Sequence, residues 1–547
     1  MMMVEEQSED GSTSTKLTPP SESFLDLPCS MDLQQQPDLE AHYKPLGDSD
    51  PSTALAPGGA VPLKSTTAIT FFVLSVVSTF FQTVAPPLNA SVFGAYLHGA
   101  VPTVAQFASL QAIAWTLRVL FAFLSDAIQV GGYRRKLWLL VGWIVCVASV
   151  GCIAFSDFGA PFCDPKEYPS CWNPKANTTK TAYDVSAPSR VAWYRAPTFF
   201  AMLGVVLVQA NLDGVLVEIA QREPISVRGT FQTLTYFISG IGGVLARFFM
   251  LFCLSAKRYG GGYDWSAGPN APFYIAFGLG LVAIVLTISV FRDTHNPIQG
   301  LPNWCRQLWT LLQTRALYQL LSFRLLTSVF QSPTGPSVMT WVTNLDLAWA
   351  NVIPRIPYVP TMIITLKKGM GWNWRKAVFI TTLGSIIVTS IATFFVIYDV
   401  CRNDYFYIIV IAPASIALGM NTLMPGWAMV EVATPGHEAT TAAIYATIKD
   451  LVVPITARWR AYMAESFPAN LALLNDNHTQ NQVGYNWIVC LSIQVAGLAF
   501  IVLLPAQRKP LLEMKARGEL SVLAAVVVVV AYFALLVFAW QQNLKDY

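Results

Sequence analysis

The sequence predicts an all-α integral membrane protein whose helices form two sets of six, and three observations lead to this class. Of its 547 residues, 54% are hydrophobic and only 12% are charged, against about 25% charged residues in ordinary soluble domains. The hydrophobic residues are gathered in runs of about 20 residues, which as helices are long enough to cross a bilayer. Six such runs precede a polar stretch and six follow it.

The apolar runs divide the chain into two predicted bundles joined by a linker. The N-terminal bundle, 65–291, contains predicted spans at 66–86, 104–125, 137–156, 197–219, 230–254 and 272–291. A cytoplasmic linker is predicted at 292–316. The C-terminal bundle, 317–505, contains predicted spans at 317–341, 348–366, 377–398, 405–430, 439–462 and 486–505. Residues 506–547 comprise a basic loop and a run, 520–540, that is apolar enough to form a thirteenth transmembrane helix.

The N-terminal tail differs from the rest of the chain in charge and composition. Residues 1–64 contain 11 acidic and three basic residues, and they are rich in Ser, Pro and Gln. Such a segment buries too little apolar surface to fold, so we expect it to be disordered. It has the composition of neither a transit peptide nor a cleaved signal peptide. The basic residues of the remainder are scattered over short loops, which indicates membrane orientation rather than nucleic-acid binding.

Two patterns predict that the tail is cytoplasmic. With the tail inside, the inner loops carry most of the basic residues, as the positive-inside rule requires. They include Arg134, Arg135 and Lys136, Arg222 and Arg228, Lys367, Lys368, Arg375 and Lys376, and Arg508, Lys509, Lys515 and Arg517. The same topology places the glycosylation sequons at Asn89, Asn177 and Asn477 outside. We therefore expect a glycosylated, multi-pass protein of the plasma membrane or an endomembrane.

The longest outer loop contains a predicted disulfide. Cys163 and Cys171 lie close to the Asn177 sequon, in a compartment that would be oxidising. A bridge between these two cysteines would close the loop.

Several kinds of chemistry have no motif in this sequence. The five histidines are unpaired at helical spacing and no Cys-x-x-Cys pair occurs, so no metal site is predicted. No phosphate-binding loop is visible, so the sequence contains no motif for ATP-driven pumping. We expect no cofactor and no enzymatic activity, and we expect gradients to drive any transport.

Ionisable residues within the predicted spans are candidates for function because burying a charge in lipid is costly. They are Arg118, Asp213, Arg247, Arg324, Glu431, Lys449 and Asp450. Asp213 is the leading candidate for proton binding, since Asn211 and Gly214 form a polar patch beside it. The alternative is that buried Arg and Asp residues only hold the bundle together. Lys449 and Asp450 point about 100° apart on a helix, so each needs a partner elsewhere.

Other polar and proline residues suggest gating or a cavity. Glu218 precedes Arg222 by four residues, and a helix-surface ion pair is favoured over a role of these two residues in gating. Pro354, Pro357 and Pro360 should break the eighth span, and a broken helix at membrane depth is tolerated where it lines a cavity.

The loop Ser125–Lys136 resembles the signature loop of major facilitator transporters. The equivalent loop of the second half is a degraded copy in which Leu366 occupies the place of Asp126. Physically, Asp126 at a helix end and the Arg134 and Arg135 cluster can form an inner-face gate that breaks when the two halves rock.

More narrowly, several first-half stretches resemble the folate-biopterin transporter family. They are Trp115 and Arg118, Asp213-Gly214-Val215-Leu216-Val217-Glu218, Glu223-Pro224, Arg228-Gly229-Thr230-Phe231-Gln232 and Gly240-Ile241-Gly242-Gly243. The chain departs from the family at Arg118-Val119, where Lys-Pro is common. The resemblance implies a major-facilitator-like bundle that transports folates, pterins or similar conjugated acids together with protons.

A folate-like solute requires aromatic faces, a carboxylate and cationic groups in its site. We expect Asp213 to meet the pterin or the proton, and Arg118, Arg247 and Lys449 to meet the anionic end. Two alternatives remain open: a facilitator for another small amphipathic solute, and a transporter-like sensor that signals through the acidic tail.

Overall fold

The structure contains thirteen helical segments that correspond to the thirteen predicted apolar runs. The computed structural model describes residues 53–163, 184–259, 261–293, 300–342, 347–469 and 476–545. Within these ranges every regular element is a helix, and ten helices are long and apolar enough to cross a membrane. The all-α membrane fold predicted from the sequence is thereby confirmed.

The helical segments are numbered here as spans 1 to 13. Spans 1 to 6 are Thr66–Tyr96, Val101–Ala127, Lys136–Ala154, Ala187–Gln221, Thr230–Leu254 and Ala271–Ser289. Spans 7 to 13 are Arg315–Gln331, 347–369, Trp374–Ile397, Asp404–Val432, Glu438–Ser466, Asn477–Leu503 and Val522–Leu544.

Prolines determine where two of the spans break or stop. Span 8 contains a 3-10 turn at Ile353–Arg355, an α-helix at Tyr358–Ile364 and a π-helical turn at Thr365–Gly369. The predicted break in this span is therefore present. Span 7 ends at Gln331, ten residues before the predicted end at 341, because Pro333 and Pro336 follow in extended chain and proline cannot continue a helix.

Two short helices lie in segments predicted as linker or loop. Leu301–Gln313, called here the linker helix, buries Trp304 and Leu311. The Trp304 indole N–H donates to the Gly436 carbonyl at 2.9 Å, which fastens this helix to the start of span 11. Arg508–Ala516, called here the basic helix, follows span 12.

Buried apolar residues form two main groups that match the two halves of the chain. One group lies in spans 1 to 6, and the other lies mainly in spans 7 to 13. Spans 3 and 4 approach very closely: a Cβ atom on Gly204 would stand 2.6 Å from the Gly142 carbonyl oxygen. Because no real Cβ atom could stand so close to that oxygen, only glycine at position 204 lets the two helices pack this tightly.

The loops define two ends of the bundle. The tail-side end contains residues 53–65 and the loops after spans 2, 4, 8, 10 and 12, which hydrogen-bond to one another there: the Leu55 amide donates to Gln221, and the Trp374 amide donates to Ala506. The far end contains the loops after spans 1, 3, 5, 7, 9 and 11.

Candidate functional site

A cavity of about 310 Å³ lies between the two halves of the chain. Spans 1, 4 and 5 supply its wall on one side, and spans 8 and 10 supply the other. Much of the lining is polar but uncharged, with hydroxyl or amide side chains that include Ser75, Thr79, Gln82, Gln209, Thr235 and Thr422. A polar cavity at the interface of two bundles is where transporters of this general architecture hold their solutes.

Asp213 faces this cavity and is held by a chain of polar side chains. Arg118 at the bend of span 2 forms an ion pair with it. The Gln209 amide donates to the second carboxylate oxygen of Asp213 at 2.9 Å. Gln82 and Ser78 of span 1 in turn donate to the Gln209 carbonyl oxygen at 2.8 and 2.9 Å. The structure thus places Asp213 in a hydrogen-bonded network that joins spans 1, 2 and 4.

Two arginines line the opposite part of the cavity. Arg247 of span 5 was expected there from the sequence, and Arg355 of the broken span 8 was not. The Arg247 guanidinium donates to the Gly243 carbonyl at 3.0 Å. In the part of the chain that the structure describes, neither arginine has a carboxylate at ion-pair distance, and the two positive charges repel each other.

Aromatic side chains complete the lining. Phe71 lies on span 1, Tyr236 on span 5 and Tyr358 on span 8, and all three border the cavity. Flat aromatic faces, one carboxylate and two guanidinium groups are therefore brought together from residues almost 300 positions apart in the sequence. This set can bind a planar ring at one end and an anion at the other.

Four predicted site residues are not among those that line the cavity, and one of them, Arg118, is joined to it through its ion pair with Asp213. The Asn211 side chain is fully buried and donates to the Leu207 carbonyl of its own helix at 2.8 Å. Lys449 is exposed on the surface of span 11, and Asp450 beside it is only partly buried. The contact of Lys449 with the anionic end of a solute stays a prediction, and its charge interacts with those of Asp450, Arg324 and the cavity-lining Arg355.

A buried charge cluster joins the two halves at the tail-side end. We call this the gate cluster: Asp126, Arg134, Arg135, Glu218 and Glu438. Asp126 accepts from Arg134 at 2.8 Å and Arg135 at 2.5 Å. Arg134 also donates to Glu438 of span 11 at 2.6 Å. Burial alone would lower the pKa of Arg135, but the three surrounding carboxylates raise it above its ordinary value.

The gate cluster corrects one expectation and adds one residue. Glu218 does not pair with Arg222; it accepts from Arg135 at 2.9 Å. The helix-surface ion pair favoured from the sequence is therefore wrong, because the loop between spans 2 and 3 brings Arg135 to Glu218. Glu438 was missed, since an acidic residue in a first helical turn is ordinary.

A second cluster crosses between the halves at the same end. Glu431 at the end of span 10 is 1% exposed and pairs with Arg228 at 2.8 Å and with Arg508 at 2.7 Å. Arg508 of the basic helix also donates to the Ile225 and Arg228 carbonyls of the first half at 2.6 and 2.7 Å. Burial lowers the pKa of Arg508, although Glu431 opposes this effect.

The predicted outer-face modifications have different structural settings. Cys163 is disulfide-bonded, and Cys171 and Asn177 lie outside the described residues. Asn477 is exposed at the far end. Asn89 is 6% exposed inside the span 1 helix and accepts from Gln111 at 3.4 Å, which does not fit its predicted glycosylation in the folded protein.

Comparison with solved structures defines the class of fold. The chain is similar to a proton:xylose symporter of the major facilitator superfamily bound to 6-bromo-6-deoxy-D-glucose, with 13% identity and a TM-score of 0.55 over 83% of this chain and 98% of that one. A double tryptophan variant of that symporter gives 14% identity and a TM-score of 0.54 over 83% and 98%. An E. coli fucose:proton symporter has 10% sequence identity and a TM-score of 0.48, over 80% of this chain and 99% of that one.

The chain therefore has the major facilitator fold. No family model and no curated protein matches the sequence.

Proposed function

We propose that this protein is a secondary active transporter that moves a small anionic solute across a membrane by alternating access. The observation that carries the proposal is the polar cavity between two bundles that are joined at one end by two buried charge clusters. Breaking those clusters would let the halves rock and open the cavity to the tail side. In this proposal the tail-side end is cytoplasmic, and the membrane is the plasma membrane or an endomembrane.

The charges of the cavity favour an anionic, aromatic solute. Arg247 and Arg355 both line it without a carboxylate partner among the described residues, and two unpaired guanidinium groups in a low-dielectric site favour an anion. Tyr236, Tyr358 and Phe71 offer ring faces. Together with the first-half resemblance to folate-biopterin transporters, this supports a folate, a pterin or a related conjugated acid as the solute.

Asp213 is the proposed proton site. Of the described residues that line the cavity it is the one carboxylate, and its partner Arg118 is only 11% exposed. Protonation removes the negative charge of the pair, so the protonation state and the position of Arg118 are linked. Such a linkage is what couples a proton gradient to solute movement.

A neutral, hydroxylated solute is the second candidate. The hydroxyl and amide side chains of the cavity can hydrogen-bond to sugar-like groups, and the similar symporter structure contains a halogenated sugar analogue. Competition of labelled solute uptake by folates or by neutral sugars separates the two candidates.

The test is uptake of labelled folate and biopterin into vesicles that contain the purified protein, with and without an imposed pH gradient. We expect accumulation only with the gradient, and Asp213→Asn should abolish it. Arg247→Gln and Arg355→Gln should each raise KM by about 10- to 100-fold, since a charge-assisted hydrogen bond contributes roughly 1.5–3 kcal/mol. Arg306→Gln, on the exposed face of the linker helix, is the matched control. Unchanged KM in both cavity variants, with uptake of a neutral sugar, would contradict the anionic solute.

A further inference from the structure

Spans 2, 4 and 11 meet at a junction between the two halves. The contact is made by buried alanines, which let helices approach closely: Ala122, Ala210, Ala439 and Ala443. Spans 2 and 4 belong to the N-terminal half and span 11 to the C-terminal half. Any polar group beside this junction therefore has neighbours from both halves.

Ionisable residues lie next to the alanines on all three helices. Arg118 is four residues before Ala122, and Asp213 is three residues after Ala210, so each lies on the same face as its alanine. Asp450 follows Ala443 by seven residues, which is two helical turns on the same face. The helical register thus directs Arg118 and both aspartates toward the junction.

Arg118 uses only part of its hydrogen-bonding capacity. One guanidinium nitrogen pairs with Asp213, whereas the buried Nε has no acceptor within the described residues. Buried N–H groups without an acceptor are uncommon in native proteins. The guanidinium also lies over the Trp115 ring at 5.6 Å from its centroid.

Asp450 is a carboxylate without a bonded partner. Across the described parts of the chain it makes no hydrogen bond and no ion pair, yet its charge acts on Arg118 of span 2, Arg324 of span 7 and Lys449. Asp450 thus has no bonded partner, and its charge interacts with that of a guanidinium that has a spare donor, so a side-chain movement can pair the two groups.

The groups around Asp213 are different. Arg118 and Gln209 bond to it directly, and Tyr236 of span 5 lines the same cavity. Protonation of Asp213 would leave Arg118 positive and without a negative partner in its own half.

We propose that Arg118 is a switch that pairs with Asp213 in this conformation and with Asp450 once a proton from the cavity has bound to Asp213. No covalent bond other than the new O–H changes: Arg118 stays protonated, Asp213 becomes neutral and Asp450 stays ionised. The new ion pair joins span 2 to span 11. Protonation of Asp213 in one half therefore creates an attraction between Arg118 and Asp450 of the other half. This inference rests on the proposed proton coupling and identifies Asp450 as the second carboxylate that pairs with Arg118.

The test is a pH titration of the purified full-length chain in lipid nanodiscs without any solute. The signal is Trp115 fluorescence, isolated from that of the other tryptophans by subtracting the spectrum of the Trp115→Phe variant. We expect one protonation-dependent change in the wild type as Arg118 leaves the ring, and none in Asp213→Asn.

Asp450→Asn should move the midpoint of this change to lower pH by about one unit or more, because the freed guanidinium then lacks a negative acceptor and opposes protonation of Asp213. Asp450→Glu should restore the wild-type midpoint, and Arg306→Gln, on the exposed face of the linker helix, should leave the midpoint unchanged. An unchanged midpoint in Asp450→Asn, or an equal shift in Asp450→Glu, would overturn the proposal.

Infrared difference spectra of the wild type across the same midpoint provide a readout that does not depend on a folded Asp450 variant. We expect a protonated-carboxyl band that Asp213→Asn removes. A band that persists in Asp213→Asn would overturn the assignment. Because the titration uses no solute, failure of folate and pterin uptake with a normal titration would refute the proposed solute and leave the switch standing.

Discussion

Replacing Asp126 by Asn should open the tail-side end of the bundle. The Asp126 side chain is fully buried, and one of its oxygens accepts from the Thr440 amide and hydroxyl, both at 2.7 Å. Thr440 is on span 11, so these two bonds cross between the halves. In the proposed alternating-access cycle they would be lost when the tail-side end opens, whereas the bonds to Arg134 and Arg135, within the first half, would be kept.

The size of the effect follows from the two cross-half bonds. A hydrogen bond to a charged acceptor contributes about 1.5–3 kcal/mol, and a neutral one about 1 kcal/mol. Removing the charge of Asp126 therefore costs the closed state roughly 3 kcal/mol relative to the open state. That corresponds to a shift of about 100-fold in the ratio of open to closed molecules.

The assay is a distance measurement between spin labels on the two halves. Val130 is 42% exposed in the loop after span 2, and Gly371 in the loop after span 8 has open space around its Cβ position. Both can become cysteines once Cys29 of the tail and the accessible Cys152, Cys305 and Cys401 are replaced by serine. We expect Asp126→Asn to move most of the population to a longer distance.

Asp293→Asn is the matched control. Asp293 accepts from the Arg135 and Lys136 backbone amides at 2.6 and 2.9 Å, so its bonds lie at the same end but within one half. The control should keep the wild-type distance. The same distribution in Asp126→Asn and wild type, or an equal shift in the control, would refute this role of the gate cluster.

Two stability predictions concern the packing of the halves. Gly204→Ala should lower the melting temperature, because the added Cβ would stand 2.6 Å from the backbone of span 3. Gly278→Ala, whose Cβ would have nothing within 4 Å, should leave the melting temperature unchanged. Equal melting temperatures of the two variants would contradict the close approach of spans 3 and 4. Glu431→Gln should destabilise more than Gly204→Ala, because breaking a buried ion pair costs about 3–5 kcal/mol and overpacking about 1–3 kcal/mol. The reverse order in thermal unfolding would show that the second cluster contributes little.

The sequence predicts the helices well because membrane burial acts on each of them separately. Every span requires its own run of apolar residues, and the broken span 8 is visible from Pro354, Pro357 and Pro360. The linker helix was not predicted because a 13-residue helix is too short to span. Its signal was the spacing of Leu301, Trp304 and Leu308.

The site is predicted only in part because it depends on contacts between distant helices. Asp213 and Arg247 were found as charges in apolar runs, and both line the cavity. Arg118 and Lys449 carry the same signal but are not among the lining residues, whereas Arg355, which was not singled out, is one of them. The rotation of each helix about its axis is set by packing, which a single hydrophobic run does not encode.

The central claim is that one polar cavity opens alternately to the two sides of the membrane. The most direct measurement uses the protein in which Cys29, Cys152, Cys305 and Cys401 are replaced by serine. In it Ser239→Cys, a position that lines the cavity, is alkylated by an impermeant reagent added to either side of oriented vesicles. We expect labelling from both sides, with labelling from the tail side increased by Asp126→Asn. Labelling from one side alone, in the wild type and in Asp126→Asn, would contradict alternating access.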